Sequence, residues 1–343
     1  MKALLLTAPG ELSVTEVADP APADGEAVVR VAACGICGSD VHGATGATGR
    51  RIPPLVMGHE AAGTVVAGPG IAAGTRVAID STVFCGACRH CRAGRENLCA
   101  ARQVLGVSCD AYRRDGCFAE LVAVPTRCLH PLPDSIDFVT AALLEPLTIA
   151  LHALTLGGAG PATRSAVVVG AGPVGLAVVA ALVARRVPRV AAIDLADERL
   201  DRARLAGAAE VFNARDGAAG RRAADWASSV DEDGAPLVIE AVGTTAAVAT
   251  AIAAAGRGGT VVIVGNVSPG IELPLQAVVT RQLRLQGSCA SAGSYPEAIR
   301  LAAGGSVDLR SLVSVVAPLD EGPAWFARLG RGDPGVAKVV LCP

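Results

Sequence analysis

Between Cys34 and Glu60 the chain gathers side chains that bind metals and move protons. Cys34-Gly35-Ile36-Cys37-Gly38-Ser39-Asp40-Val41-His42 is followed, after a Gly-rich loop, by Gly58-His59-Glu60. Thiolate, imidazole and carboxylate are the three ligand types zinc accepts, and a catalytic zinc keeps one position open for water or substrate. Cys37, His59 and Glu60 offer one of each. Ser39 and His42 stand where they could hydrogen-bond an alcohol at such a metal and pass its proton outward. A buried free cysteine and a satisfied core histidine are the ordinary fates of either residue alone. Two later features argue against them here.

The first is Cys85-x2-Cys88-x2-Cys91-x7-Cys99, four thiols within fifteen residues, enough to close a tetrahedral structural zinc site. The segment also carries Arg89, His90, Arg92, Arg95 and Glu96, so an apolar core does not explain it. A redox motif needs one Cys-x2-Cys pair. A nucleic-acid-binding zinc ribbon needs two separated pairs and a basic face.

The second is Gly170-Ala171-Gly172-Pro173-Val174-Gly175, set between an apolar run, Ser165 to Val169, and a helical pattern from Leu176. A following strand, Val190 to Ile193, ends in Asp194. In a strand–turn–helix of this kind Gly170 makes the tight turn, Gly172 lets the backbone approach a pyrophosphate and Gly175 lets helix and strand close together. The helix N-terminus at Pro173 and Val174 holds the negative charge. Asp194 would accept hydrogen bonds from the adenosine ribose and repel a 2′-phosphate, which favours NAD over NADP; Arg199 is the nearby residue that could tolerate one. Val242 and Gly265, in loops after two further strands, would edge the nicotinamide pocket.

The elements that hold these groups fall into two domains. A length of 343 residues suits two units at roughly 150 residues each. Residues 1–145 read as short strands punctuated by Gly and Pro, a β-rich domain with the Cys37, His59 and Glu60 group on its loops. The cysteine lobe spans about 85–99 of it. Residues 146–288 alternate strand and helix, the pattern of a doubly wound parallel sheet. Residues 289–343 are expected to return to the first domain. The run Ala141 to Leu147 opens a linking helix through His152, and Glu145, between Leu144 and Pro146, is expensive to bury without a partner. A zinc ion or its water would be such a partner.

Composition narrows the setting. A net charge of −2 favours neither nucleic acid nor an anionic membrane. No apolar run reaches the ~18 residues of a membrane span, and the N-terminus reads as lacking a signal peptide. Eleven cysteines, an odd number and clustered, point to metal binding in a reducing cytoplasm. Cys109, Cys117, Cys128, Cys289 and Cys342 have no partner at ligand spacing and read as packing residues; Cys34, one helical turn before Cys37, reads as packing too. Nearly every basic residue is Arg, with Lys2 and Lys338 the two lysines, which reads as base-composition bias.

Taken together, Cys-Gly-Ile-Cys-Gly-Ser-Asp-Val-His, Gly-His-Glu, the cysteine lobe, Glu145-Pro146-Leu147 and the Gly-rich turn resemble, in this order and over nearly the whole length, the zinc-containing medium-chain dehydrogenases. Within them the chain looks most like the polyol (sorbitol or L-iditol) and sugar-alcohol-phosphate branch, because Glu145 stands where the alcohol dehydrogenase branch has a cysteine ligand. The resemblance implies a GroES-like catalytic domain beside a Rossmann coenzyme domain, one catalytic and one structural zinc per subunit, and a homodimer or homotetramer. Cys37 and His59 carry over as zinc ligands. Glu60 and Glu145 match positions that bind zinc directly or through water, and members differ over which does so. Ser39 and His42 match the proton relay, which passes through the nicotinamide ribose; Cys85, Cys88, Cys91 and Cys99 match the structural site. The expected reaction takes a hydride from a small alcohol to NAD. Two alternatives stand beside a plain polyol: a phosphorylated or amino-substituted sugar alcohol, and a non-catalytic NAD-binding redox sensor.

Overall fold

Alternation of apolar and polar residues along Glu26–Gly35 buries Ala27, Val29 and Val31 on one side of the strand. The alternation stops at Ala33, Cys34 and Gly35, all buried. Gly35 is paired with Glu60 of the strand Glu60–Ala67 and with Val340 of the strand Val339–Cys342. Residues almost three hundred positions apart are thereby held at one point.

The computed structural model describes every residue except Asp110, Ala111 and Pro334. It divides into two units, one of Met1–Glu145, Ser291–Gly304 and Leu309–Pro343, the other of Pro146–Ala290 and Gly305–Asp308.

The first unit is built on a seven-stranded sheet. Its path runs Leu129–Pro131, Arg76–Ile79, Glu60–Ala67, Glu26–Gly35, Val339–Cys342, Val315–Pro318, and Leu121–Pro125 also pairs with Glu26–Gly35. Leu4, Leu6, Val29, Met57, Phe118 and Leu341 are among its core residues. Phe118 does not join a strand with residues 119–124, as the apolar run suggests. It plugs the core edge-on against Phe326, ring centroids 5.7 Å apart, and the strand starts at Leu121.

The second unit is a six-stranded, wholly parallel sheet in the order Glu210–Asn213, Arg189–Asp194, Ser165–Val169, Ala235–Glu240, Ala255–Ile263, Arg284–Gly287. Numbered along the chain this is 3-2-1-4-5-6, the doubly wound arrangement whose direction reverses between Ser165–Val169 and Ala235–Glu240. Ala219, Ala223, Ala227, Ala251 and Ala254 supply the small helix faces packed on the sheet core of Val167, Val238 and Val261.

The expected helix from Ala141 through His152 is two helices, Phe138–Ala142 and Leu144–Leu156. Pro146 lacks the N–H an interior helical position would use, so it is accommodated in the first turn of a new helix. Asp137 caps the short one, its carboxylate accepting the Thr140 N–H at 2.7 Å.

Candidate active site and metal centres

Cys37 stands at the N-terminal boundary of a seven-residue helix, Gly38–Ala44, which carries Ser39 and His42 three residues apart, hence on one face. Both are exposed, and Asp40, between them, is fully buried. His59 ends the loop before Glu60, and Glu60 is the first residue of its strand instead of a loop residue. Ligand atoms of Cys37, His59 and Glu60 all lie within 4.8 Å of one another. Ser39 Oγ is 3.5 Å from His59 Nε2.

Asp40 turns this gathering into an oriented site. Its Oδ1 lies 3.3 Å from His59 Nδ1, and its Oδ2 accepts the Cys37 backbone N–H at 3.4 Å. The His59 contact is of ion-pair length without aligned hydrogen-bond geometry; it leaves the other imidazole nitrogen, Nε2, for a metal, with a carboxylate placed to orient the ring of a ligating histidine. Burial alone would raise the Asp40 carboxyl; His59 and Arg51 outweigh it and hold it well below the usual range. Burial likewise opposes charge on His59, and Asp40 and Cys37 outweigh that, raising it well above its usual value. The group calls for positive charge among these side chains, and its three donor types fit zinc.

Glu145 is not among the three gathered ligands. Burial pushes its carboxyl up to about 8, with the charge of His59 pulling it back and that of Glu60 raising it further. It lies within electrostatic reach of the donors.

The four lobe sulfurs also lie within 4.8 Å of one another, around the short helix Arg89–Arg92 and the turn Glu96–Leu98. Cys88 and Cys91 Sγ are 3.5 Å apart, and all eleven cysteines are free thiols. Backbone N–H groups of Ala87 and Cys88 point at Cys85 Sγ at 3.4 Å, and that of Ala101 at Cys99 Sγ at 3.4 Å. N–H groups of Cys91 and Ala100 draw the Cys88 thiol down to about 6, whereas desolvation and the neighbouring Cys88 push Cys91 up to about 12. Four thiolates so close need a cation, and zinc suits four sulfurs.

In the second unit each glycine of the turn has its own reason. Gly170 has φ +95°, which favours glycine, and a Cβ there would lie 2.5 Å from Val242 Cγ2. A Cβ on Gly175 would stand 1.8 Å from the Gly170 carbonyl oxygen. At Gly172 it would meet nothing within 4 Å, and the backbone there, φ −73° and ψ −176°, is open to any residue. Nothing among the described residues requires glycine at Gly172. The open space in front of the helix Pro173–Ala184 fits a diphosphate. Asp194 is clamped beside it, Oδ2 accepting the Ala171 N–H at 2.8 Å and Oδ1 the Ala196 N–H at 3.0 Å. Arg199 reaches Asp194 at 3.9 Å with more than half its side chain exposed. Gly243 and Gly265 touch backbone to backbone, where a Cβ on Gly265 would be 2.2 Å from Gly243 N. Gly170, Val242 and Gly265 thus meet at the point where the strand order reverses.

Residues 23–134 match the alcohol dehydrogenase GroES-like domain, and residues 173–304 match the zinc-binding dehydrogenase family. The sorbitol dehydrogenase of Bacillus subtilis is 33% identical, over 100% of this chain and 97% of that protein. The chain belongs to the zinc-binding alcohol dehydrogenase family. Among solved structures, alcohol dehydrogenase TADH from Thermus sp. ATN1 superposes with a TM-score of 0.91 at 32% identity, covering 100% of this chain and 99% of that one. The galactitol-1-phosphate dehydrogenase of Escherichia coli gives 0.90 at 26%, with both chains fully covered.

This zinc-binding dehydrogenase holds two site residues that the sequence reading passed over and one that it misjudged. Asp40 lies inside the Cys37–His42 motif, where residue type and spacing alone assign it no role. Arg51, 5% exposed, donates from Nη2 to Asp40 Oδ1 at 2.9 Å. Lys338, read as compositional residue, is 1% exposed, pairs with Glu60 Oε2 and donates to the Ile36 carbonyl at 3.0 Å. A Cβ on Gly35 would lie 2.3 Å from that Glu60 oxygen and 3.0 Å from Lys338 Cε, so Gly35 makes room for the pair. A signal was present: a lysine in a chain that otherwise uses arginine, set directly before the apolar run Val339-Val340-Leu341.

Proposed function

We propose that this protein is an NAD-linked, zinc-dependent dehydrogenase that oxidises a secondary hydroxyl of a polyol of the sorbitol or L-iditol kind to a ketone. The observation that carries it is the convergence of Cys37, His59 and Glu60, backed by buried Asp40, in a chain alike end to end to a sorbitol dehydrogenase. When bound, zinc supplies Lewis acidity that makes a substrate hydroxyl more acidic, and NAD accepts the hydride. Cys37 and His59 hold the metal, with Glu60 or Glu145 as the carboxylate. Ser39, beside the donors, takes the hydroxyl proton, and His42, further along the same exposed helix face, delivers it to solvent. Cys85, Cys88, Cys91 and Cys99 hold the structural zinc. Gly170, Gly172, Pro173, Val174 and Gly175 receive the diphosphate, Asp194 the adenosine ribose, and Val242 and Gly265 border the nicotinamide; Arg199 stays tied to Asp194, which supports NAD over NADP.

The galactitol-1-phosphate dehydrogenase among the similar structures keeps a phosphorylated sugar alcohol as the second reading. Against it, Arg51 beside the donors is committed to Asp40, and Arg113 and Arg114, the other candidate arginines for a phosphate, are committed to the Ile52 and Pro54 carbonyls and to Glu26, respectively.

The protein is proposed to act in the cytoplasm as a homodimer or homotetramer. No helix among the described residues is long and apolar enough to cross a membrane. Leu275 and Val279 are 62% and 68% exposed, close to Arg284–Gly287, the open edge of the parallel sheet. An uncovered apolar patch beside an unpaired strand edge suits a second copy of the chain.

The test is NAD reduction across polyols, simple secondary alcohols and sugar-alcohol phosphates, with Cys37→Ser as control. Oxidation of one polyol class, lost in Cys37→Ser, is expected. Preference for a phosphate ester would select the second reading, and activity surviving the substitution would remove the catalytic metal from the mechanism.

A further inference from the structure

We propose that Arg51 is a positioning residue of this site, a buried cation that holds the Asp40 carboxylate in place behind the metal ligand His59 and orients the Ser39 hydroxyl. The inference rests on the zinc dehydrogenase reading above and deepens it.

Asp40 is fully buried, and its Oδ1 is shared between two partners, His59 Nδ1 at 3.3 Å and Arg51 Nη2 at 2.9 Å. A histidine that gives one nitrogen to a metal is neutral and offers its other N–H to a carboxylate. A carboxylate as fully buried as Asp40 is costly unless a cation is paired with it at close range. Arg51 is that cation, and among the described residues it makes the only other ion pair with Asp40.

The chain makes space for it. A Cβ on Gly43 would lie 2.5 Å from Arg51 Cγ, so the helix that presents Ser39 and His42 leaves out a side chain where the arginine stem passes. The guanidinium spans three acceptors: Asp40 Oδ1, the Arg50 carbonyl at 3.3 Å from Nη1, and Ser39 Oγ at 3.5 Å from Nη2. Arginine only donates. Ser39 is therefore the acceptor in that contact, and its own hydroxyl proton points elsewhere, free to take part in the relay. A lysine ammonium would restore the charge but lacks the planar fork that reaches several acceptors in fixed directions.

The test compares Arg51→Met, Arg51→Gln and Arg51→Lys with the unaltered protein for zinc content and for the rate at which a chelator removes each zinc. Cobalt substitution, followed by visible absorption, separates the three-donor site from the four-cysteine lobe. Outer partners of metal ligands typically change affinity by about 10- to 100-fold. Arg51→Met is expected to release the metal of the Cys37 site faster by that order and to keep the lobe's zinc. Arg51→Lys is expected to hold both metals while kcat falls and KM does not. Should Arg51→Met fail to fold, Arg51→Gln, which keeps a donor without charge, takes its place. Uncharged variants that hold the metal as the parent does would overturn the proposal, as would Arg51→Lys losing it as fast as they do. A parent protein that binds only the lobe zinc overturns the zinc dehydrogenase reading itself, an outcome separate from failure at Arg51.

Discussion

Lys338 and Glu60 form an ion pair in the interior of the first unit, their side chains 1% and 2% exposed. The sheet register imposes the meeting, since Glu60 and Val340 both pair with Gly35. Removing one partner of a buried pair leaves an uncompensated charge, at a cost of about 3–5 kcal/mol. Lys338→Met is expected to destabilise the protein by that order in chemical denaturation. Lys338→Met combined with Glu60→Gln should recover much of the loss, and a double variant no better than the sum of the two singles would show that the pair is not coupled.

His130 offers a pH test of folding. Its ring stacks on Tyr295, centroids 4.4 Å apart and planes 3° from parallel, and the Tyr295 hydroxyl donates to the Ile79 carbonyl at 2.8 Å. Burial lowers His130 from 6.5 to about 4. The unfolded chain therefore binds a proton that the folded one refuses. Stability from this residue is complete above pH about 6.5 and is lost as pH falls through about 4, by roughly 3 kcal/mol in all. Buried Asp80, raised to about 7, acts in the opposite sense, losing stability as pH rises from about 4 to 7. Comparing His130→Phe with the parent cancels Asp80 and keeps the stack. The difference in unfolding free energy between them should shift in favour of the variant on going from pH 7 to pH 4; a difference flat with pH would exclude His130 as the cause.

Asp194 holds the Ala171 N–H at 2.8 Å, and the proposed function gives it a second duty toward the adenosine ribose. Loss of a hydrogen bond to a charged group is worth about 1.5–3 kcal/mol, so Asp194→Asn should raise the KM for NAD by roughly 10- to 100-fold. The same variant should narrow the preference for NAD over NADP, because the charge that repels a 2′-phosphate is gone. Initial rates with both cofactors decide it: an unchanged NAD to NADP ratio would mean that Asp194 does not read the ribose.

Groups whose chemistry is local were legible in the sequence. Cys37, His59 and the four lobe cysteines are chemically distinctive and closely spaced, and the Gly-rich turn lies between a recognisable strand and helix. Asp40, Arg51 and Lys338 escaped because their meaning is non-local. Lys338 meets Glu60 through pairing of the last strand with one some three hundred residues earlier. Arg51 lies eleven residues from Asp40, across a Gly-rich loop with no periodicity to show where its side chain points. The residue types carried only a weak warning, a lysine in an arginine-rich chain and a charge next to an apolar run. Phe118 misled in the opposite direction, since an apolar residue beside a strand pattern looks like part of the strand whether it pairs or plugs.

The Gly-rich turn permits a sharper separation of folding from function than any single loss of activity. A Cβ at Gly175 would sit 1.8 Å from the Gly170 carbonyl oxygen, whereas at Gly172 it would meet nothing within 4 Å. Gly175→Ala must push helix and turn apart and should destabilise the second unit, by the roughly 1–3 kcal/mol typical of overpacking. Gly172→Ala fits its backbone. There the stabilisation of about 0.4–1 kcal/mol from a stiffer unfolded chain is offset by the poorer N-capping of Ala relative to Gly, of order 0.5–1 kcal/mol, so stability should stay within about 0.5 kcal/mol. The added methyl instead occupies the space in front of the helix where a diphosphate would approach. NAD affinity, measured by fluorescence or calorimetry, should fall at least about tenfold for Gly172→Ala with its melting temperature unmoved. If Gly172→Ala bound NAD normally, the diphosphate would have to lie elsewhere, and the open space at this helix end would lose its explanation.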